Sequence, residues 1–315
     1  MQTIVFLDRQ TVAADFRSPK FPHHWIDHPA SLPAETAGRL AEAQIAITNK
    51  VRITEDVLAQ APRLKLVVAS ATGTDHIDLK ACAARGIRVA NIRGYSTDGV
   101  AEHVFALILA LRKQLIGYHA DVRSGRWRDS GTFALIDRPI HNLAGSTLGL
   151  VGYGAIGRRV EGIAKAFGMR VLLADRKGAA ELRPGRLPFA EVLAAADVLS
   201  LHTPLTPETA GLIGAPELAQ MKRTALLINT GRGGLVDAEA LAAALREGKI
   251  GGAGVDVLAQ EPPPAGHPLV ETTLANLIAT PHNAWASRES MQVLADQMID
   301  VLEAFVAGEP INIVV

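Results

Sequence analysis

Twice along this chain, short apolar runs rich in β-branched residues alternate with stretches of Ala, Leu and Arg at helical spacing. The first series is TIVFL (3–7), AQIAIT (43–48), LKLVVAS (64–70) and IRVAN (87–91), with EDVLAQAP and DLKACAARG among the stretches between them. The second is TLGLVG (147–152), RVLLA (170–174), DVLSLH (197–202), ALLIN (225–229), GAGVDVL (252–258) and LIAT (277–280). Strand followed by helix followed by strand is the pattern of a parallel sheet, and strands without polar alternation are buried on both faces. The expected class is α/β, with two parallel-sheet domains of Rossmann-like or flavodoxin-like type. The 315 residues are enough for two cores. The six strands of the second series match a full dinucleotide-binding fold.

Between the two series, STDGVAEHVFALILALRKQLIGYHADVRSG reads as one long helix capped by Ser96, Thr97 or Asp98. Its middle is apolar on nearly every face, which predicts burial all round and suits a domain connection or a subunit interface. A polar loop over about 119–146, with Trp127, follows. A second long helix begins near Ser287 and is closed by Gly308. The prolines of QEPPPAGHP (260–268) enforce an extended loop.

Bulk properties exclude several function classes. Lys+Arg and Asp+Glu both number 32, so bulk charge supports no nucleic-acid partner. The longest apolar run, VFALILAL (104–111), is far short of the roughly 18–20 residues of a membrane span. MQTIVFLDRQ lacks the basic start and long apolar core of a signal peptide, and the single cysteine, Cys82, permits no internal disulfide. A cytoplasmic location is expected.

Chemistry enters with GLVGYGAIG. Gly152, Gly154 and Gly157 form G-x-G-x-x-G between a strand and a helix. Such glycines permit a tight turn, a close backbone approach to a pyrophosphate and close helix–strand packing, with the helix N-terminus facing the phosphate charge. Asp175 ends the next strand, 23 residues past Gly152, near the spacing of about 20 for a ribose-binding acid. Asp175 favours NAD over NADP, because a carboxylate accepts ribose hydroxyls and repels a 2′-phosphate. Arg176 and Lys177, next in the chain, leave NADP open. A tight turn with Asp175 as an ordinary turn residue is the bland alternative.

The run LLINTGRGGLVD places Arg232 among three glycines just past a strand. In parallel sheets, ligands sit beyond the carboxyl ends of the strands, so Thr230, Gly231 and Arg232 would overhang a cofactor. The glycines would let the backbone approach a flat ring and leave the arginine room to pair with a carboxylate. Asp237 reads as a helix cap. Asp256 lies inside the end of the fifth strand of this series, Glu261 comes just after it, and His282 follows the sixth. A carboxylate beside an imidazole stabilises the imidazolium and fixes its tautomer. Hydride from the cofactor, a proton from His282 and the grip of Arg232 amount to reduction of a 2-oxo acid, or its reverse. Singly, each residue also has a bland reading: Arg232 as a surface residue, Glu261 as a loop opener, His282 as a partner of the backbone.

Together, GYGAIG, NTGRGGLVD, GAGVDVLAQEPP and PHNAWAS resemble the D-isomer-specific 2-hydroxyacid dehydrogenases, with GTDHID (73–78) and NIRGYSTDGVAEH (91–103) matching the family's first domain. Within the family the chain most resembles the glycerate dehydrogenase/hydroxypyruvate reductase-like branch, on LDR near the N-terminus, GYST…VAEH and H-x-AWAS. The resemblance covers nearly the whole chain. It implies that Arg232 binds and polarises the 2-oxo acid, that His282 is the acid/base and that Glu261 is its partner. Asp256 would bond the nicotinamide carboxamide. Backbone NH groups of Thr72 and Gly73 would take the substrate carboxylate. Ala155 and Ile156 would cover the pyrophosphate, with Thr203, Pro204 and Thr230 along the cofactor. Residues 1–97 and 288–315 would form a substrate-binding domain and 98–287 an NAD-binding Rossmann domain, with a hinge cleft and two long crossing helices. A homodimer through the NAD-binding domain is implied, with helix 100–116 and loop 119–146 as its surface. Asn283 departs from the apolar residue often seen after the histidine, which leaves substrate preference open. Hydroxypyruvate and glyoxylate lead. A larger 2-oxo acid such as 2-ketogluconate and a dinucleotide-sensing corepressor-like protein of the same fold are the alternatives.

Other motifs carry no chemistry in this reading. His24 and His28 in HHWIDH have a helical metal-ligand spacing, but Pro22 and Pro29 oppose a helix and no third ligand is evident, so no metal is expected. His103, His202 and Cys82 are expected to be structural.

Overall fold

The computed structural model describes residues 1–315, and the chain separates into two compact units, Met1–Ser96 with Ala286–Val315, and Thr97–Trp285.

The first unit is built on a five-stranded sheet, β1 (Gln2–Phe6), β2 (His23–Asp27), β3 (Ile45–Thr48), β4 (Leu66–Ala69) and β5 (Arg88–Asn91). All pairings are parallel, in the order β2-β1-β3-β4-β5. Every residue of β3 and β4 is buried, as their unbroken apolar runs require. Helices α1 (Pro33–Leu40), α2 (Glu55–Ala59) and α3 (Leu79–Ala84) connect the strands. The side chain of Thr54 caps α2 and that of Asp78 caps α3. The C-terminal tail runs antiparallel along β5, with Val314 NH donating to Val89 O at 2.7 Å and Val89 NH to Val315 O at 3.0 Å, so that edge is covered. The strand β2 is absent from the pattern reading, because HHWID is an edge strand and only half-buried. Its extended backbone also sets positions 24 and 28 about 13 Å apart, too far to share an ion.

The second unit opens with α4 (Thr97–Arg112), α5 (Leu115–Arg123) and α6 (Arg126–Asp129). The expected single long helix is therefore broken. Gln114 adopts a left-handed conformation (φ 54°), and its NH and its Nε2 both donate to Leu111 O, which ends α4. Seven apolar residues of α4 are buried, and six of them, from Ala101 to Leu111, pack in the core of this same unit with Leu148, Leu150, Leu226 and Ile228. Exposed apolar residues of this segment lie past the end of α4, at Leu115, Ile116, Val122 and Trp127 and most fully at Phe133 (97%) and Ile136 (84%).

The sheet of this unit holds β6 (Thr147–Val151), β7 (Arg170–Ala174), β8 (Val198–Leu201), β9 (Leu226–Asn229), β10 (Gly252–Val255) and β11 (Leu277–Ala279). All are parallel, in the order β11-β10-β9-β8-β6-β7. Outside β7, Leu187 makes a lone parallel bridge to Ala174, so the next position of the sheet is reduced to one residue. Helices α7 (Ala155–Ala166), α8 (Phe189–Ala195), α9 (Ala215–Leu218) and α10 (Ala238–Arg246) lie between strands, and α11 (Arg288–Ala307) belongs to the first unit. The strand order reverses direction between β6 and β8. Ligands of such sheets bind at that reversal, beyond the carboxyl ends of the strands.

His202 follows β8, with its Nε2 2.9 Å from Ser200 Oγ. Burial holds this imidazole down at about 4. In the unfolded chain a histidine protonates near 6.5. Between those values the unfolded state binds the extra proton, so stability falls as pH drops through the window. From pH 7 to pH 5 the expected loss from this group is about 1–2 kcal/mol. Urea melts of wild type and His202→Asn at both pH values test this: the wild type should lose that much more than the variant, and parallel losses would exclude it.

Candidate active site

The turn after β6 explains its three glycines separately. Gly152 has φ 91°, and a Cβ there would lie 2.4 Å from His202 O, so only glycine fits. A Cβ on Gly157 would meet Gly152 O at 2.7 Å, which fixes how closely α7 packs on the turn. Gly154 is different: nothing lies within 4 Å of its would-be Cβ. It is also the N-cap of α7 and offers no side chain to the first NH groups of the helix. Open space before uncapped helix NH groups, those of Ala155, Ile156 and Gly157 among them, is what a pyrophosphate needs. Beside this turn lies a cavity of about 610 Å³, lined by Gly152, Asp175, Thr203, Pro204 and cationic side chains. Thr230 Oγ1, past the end of β9, is buried without a hydrogen-bond partner. These features fit a dinucleotide: a cavity, an anion-ready helix end and an unsatisfied hydroxyl all face the carboxyl edge of one sheet.

Asp175 comes directly after β7, and its carboxylate is already engaged. Arg183 donates to Oδ1 through Nε at 2.9 Å and Nη2 at 2.6 Å, and the NH groups of Arg176 and Arg183 each donate at 2.7 Å. These bonds, led by the Arg183 side chain, hold the carboxyl far below the usual carboxylate range. Arg183 escaped the sequence reading because it lies eight residues on, in a loop whose return path only the Leu187 bridge reveals.

At the other end of the sheet, register aligns the functional loops. Asn229, Val255 and Ala279 are side by side on β9, β10 and β11. Adjacent strands are about 4.8 Å apart, so the residues that follow emerge together. Asn229 ties down the arginine turn, its Nδ2 donating to Arg232 O at 3.0 Å and its Oδ1 accepting from Gly231 NH at 3.1 Å. The Arg232 Nη1 donates to Gly231 O at 2.9 Å.

Of the glycines around Arg232, Gly233 is required by packing within the protein. A Cβ on Gly233 would fall 1.9 Å from the carbonyl carbon of Leu258. The turn therefore packs backbone to backbone on the segment leading to Glu261. Gly231 has ordinary room, with its nearest contacts at 3.4 Å.

Glu261 reaches His282: Nδ1 of the histidine is 2.6 Å from Oε2, while Oε1 accepts from Leu258 NH at 2.8 Å. His282 has φ 54°, rare for a side chain of this size. Its NH donates to Asp256 O at 2.8 Å, which helps hold that conformation. With Nδ1 occupied, Nε2 is the ring nitrogen left to face a substrate.

Asp256 has partners the sequence did not suggest. It is 1% exposed, and its carboxylate accepts from Thr280 Oγ1 (2.6 Å), Asn283 NH (3.0 Å) and Ala284 NH (3.0 Å). His103 Nε2 lies 3.0 Å from the same Thr280 hydroxyl. Asp256 thus clamps the loop that presents His282. Asn283 contributes its NH to this clamp. Thr72 and Gly73 belong to the first unit, in the loop after β4.

Comparison with known proteins agrees with this geometry. Residues 105–284 match the NAD binding domain of the D-isomer specific 2-hydroxyacid dehydrogenases. A glycerate dehydrogenase of Methylorubrum extorquens is 49% identical over 312 residues, 99% of this chain and 98% of that protein. The structure of a D-lactate dehydrogenase of Aquifex aeolicus, complexed with NAD and lactic acid, is 30% identical with a TM-score of 0.81, covering 97% of this chain and 96% of that one. The structure of an NADPH-dependent glyoxylate/hydroxypyruvate reductase of Sinorhizobium meliloti, in complex with citrate, is 27% identical with a TM-score of 0.83, covering 100% and 98%. The chain belongs to the D-isomer specific 2-hydroxyacid dehydrogenase family and is an NAD-dependent oxidoreductase.

Gly233→Ala should cost about 3 kcal/mol, the upper range for forced overpacking, because backbone must move to admit the methyl group. Gly231→Ala should cost less than about 1 kcal/mol. Equal midpoints for the two variants in urea unfolding would contradict the packing account.

Proposed function

We propose that this enzyme reduces a small 2-oxo acid of the hydroxypyruvate/glyoxylate class to the D-2-hydroxy acid, or runs the reverse. The observation that carries the reading is the His282–Glu261 pair, 2.6 Å apart, beside the turn that presents Arg232. The substrate class follows the names of the relatives, a glycerate dehydrogenase and a glyoxylate/hydroxypyruvate reductase.

The roles follow from the donor set. The nicotinamide cofactor supplies the hydride, or receives it in the oxidative direction. The Arg232 guanidinium pairs with the substrate carboxylate and polarises the 2-oxo group. His282 Nε2 donates the proton to that oxygen. Glu261, bonded at Nδ1, orients the ring so that Nε2 faces the substrate. In the first unit, Thr72 and Gly73 are assigned to the substrate carboxylate through backbone NH groups. Asn91 Nδ2 donates to Thr72 O at 2.7 Å and Thr72 Oγ1 to Ile92 O at 2.9 Å, which supports a rigid loop there. Residues 1–97 and 288–315 are accordingly assigned to substrate and 98–287 to the cofactor.

We also assign a homodimer through the second unit, carried by the exposed apolar residues Trp127, Phe133, Ile136 and Ile140. A cytoplasmic location accords with the lone thiol of Cys82, which is buried and pushed up to about 11.

Arg232→Lys keeps the charge and loses the planar fork, so kcat/KM with hydroxypyruvate should fall at least about 100-fold, on the order of 3 kcal/mol, with NADH affinity retained. Near-normal turnover in this variant would remove Arg232 from the mechanism. For the assembly, sedimentation velocity of Phe133→Asp/Ile136→Asp should give a monomer where wild type gives a dimer; a monomeric wild type overturns the assignment.

A further inference from the structure

The ribose end of the cofactor cavity is built differently from one that selects NAD by a free carboxylate. Asp175 is 3% exposed, and both of its oxygens are engaged. Nε and Nη2 of Arg183 are both spent on Oδ1, and the NH groups of Arg176 and Arg183 fill further lone pairs. A carboxylate in this state repels an incoming anion far less than a free one, because a full positive charge sits 2.6 Å from it.

The rest of the lining is cationic. Arg176, Lys177, Arg183 and Arg186 all border the cavity, against two carboxylates, Asp175 and Glu208. Lys177 pairs with Glu217 at 2.9 Å, and Arg186 lies over the Tyr153 ring at 5.0 Å. Arg183 is half exposed, at 53% for its side chain, and its Nη1 is not used on Asp175. The fold holds it there. Asp175 NH donates to Leu187 O and Leu187 NH to Leu173 O, both at 2.9 Å, so the loop from 176 to 186 must return to the end of β7.

We propose that Arg183 is a specificity-determining residue that opens this pocket to a 2′-phosphorylated ribose. It neutralises Asp175 and, with Arg176, offers guanidinium donors to the phosphate. The enzyme therefore binds NADPH as well as NADH. A guanidinium presents several donors in one plane and suits phosphate oxygens better than a hydroxyl. The inference rests on the dinucleotide reading of the cavity and revises the expectation that Asp175 favours NAD over NADP.

The test is direct binding of NADH and NADPH to the full chain by isothermal titration calorimetry, with wild type, Arg183→Gln and the double variant Arg183→Gln/Asp175→Asn. Wild type should bind the two nucleotides within tenfold of each other. Arg183→Gln should weaken NADPH at least tenfold, or 1.4 kcal/mol, and change NADH less than threefold. Removing the bared carboxylate in the double variant should recover part of the NADPH affinity. An NADPH-to-NADH ratio unchanged in Arg183→Gln overturns the proposal, as does a wild type that prefers NADH more than 100-fold. A double variant as weak for NADPH as the single one overturns the neutralisation of Asp175. If wild type binds neither nucleotide, the cofactor reading itself fails; if it binds NADH and Arg183 has no effect, only this inference does.

Discussion

The alignment of the carboxyl ends of β9, β10 and β11 is the constraint on which the candidate site depends. Parallel register sets Asn229, Val255 and Ala279 shoulder to shoulder, and the three loops that follow carry Arg232, Glu261 and His282. Register alone leaves loops free to splay. Here three ties remove that freedom: the Asn229 amide on the Arg232 turn, the Asp256 carboxylate on the 280–284 loop, and the bare backbone of Gly233 on Leu258. Each acts through backbone or buried groups, so positional accuracy comes from rigid elements, with the reactive side chains left at the rim.

Charge in the second unit is arranged by the same economy. Asp256 and Asp175 are both almost wholly buried, which is costly for a carboxylate without partners. Asp256 is satisfied by one hydroxyl and two backbone NH groups, a neutral set that leaves its charge in place near His103 and the loop of His282. Asp175 is satisfied by an arginine, which cancels its charge. Two acids at the ends of strands in one sheet are therefore partnered differently: one by neutral donors, the other by an arginine beside a cationic rim.

Much of this was legible in the residues. Unbroken apolar runs mark strands buried on both faces, so β1 and β3–β11 stand where the pattern places them. G-x-G-x-x-G needs glycine at 152 and 157 for steric reasons that hold in any such turn, and the Glu261–His282 pair joins two positions that the motifs already singled out. The misses share a cause. HHWID pairs as an edge strand because β1 offers it a partner, which no local period reveals. The long helix breaks at Gln114, a residue with no breaker signature, through bonds back to Leu111.

The sequence by itself determined the α/β class, the two series of strands, the glycine turn and the residue types at the strand ends, because backbone sterics and apolar period act locally. Only the tertiary structure decided which groups those residues touch. Arg183 is eight positions from Asp175, and Ala284 is twenty-eight from Asp256. Hydrogen bonds over such separations depend on where loops return, and that is set by strand order and register. The sequence therefore placed Asp175 and Asp256 at strand ends, and the packing of the chain determined that one pairs with Arg183 and the other clamps a loop.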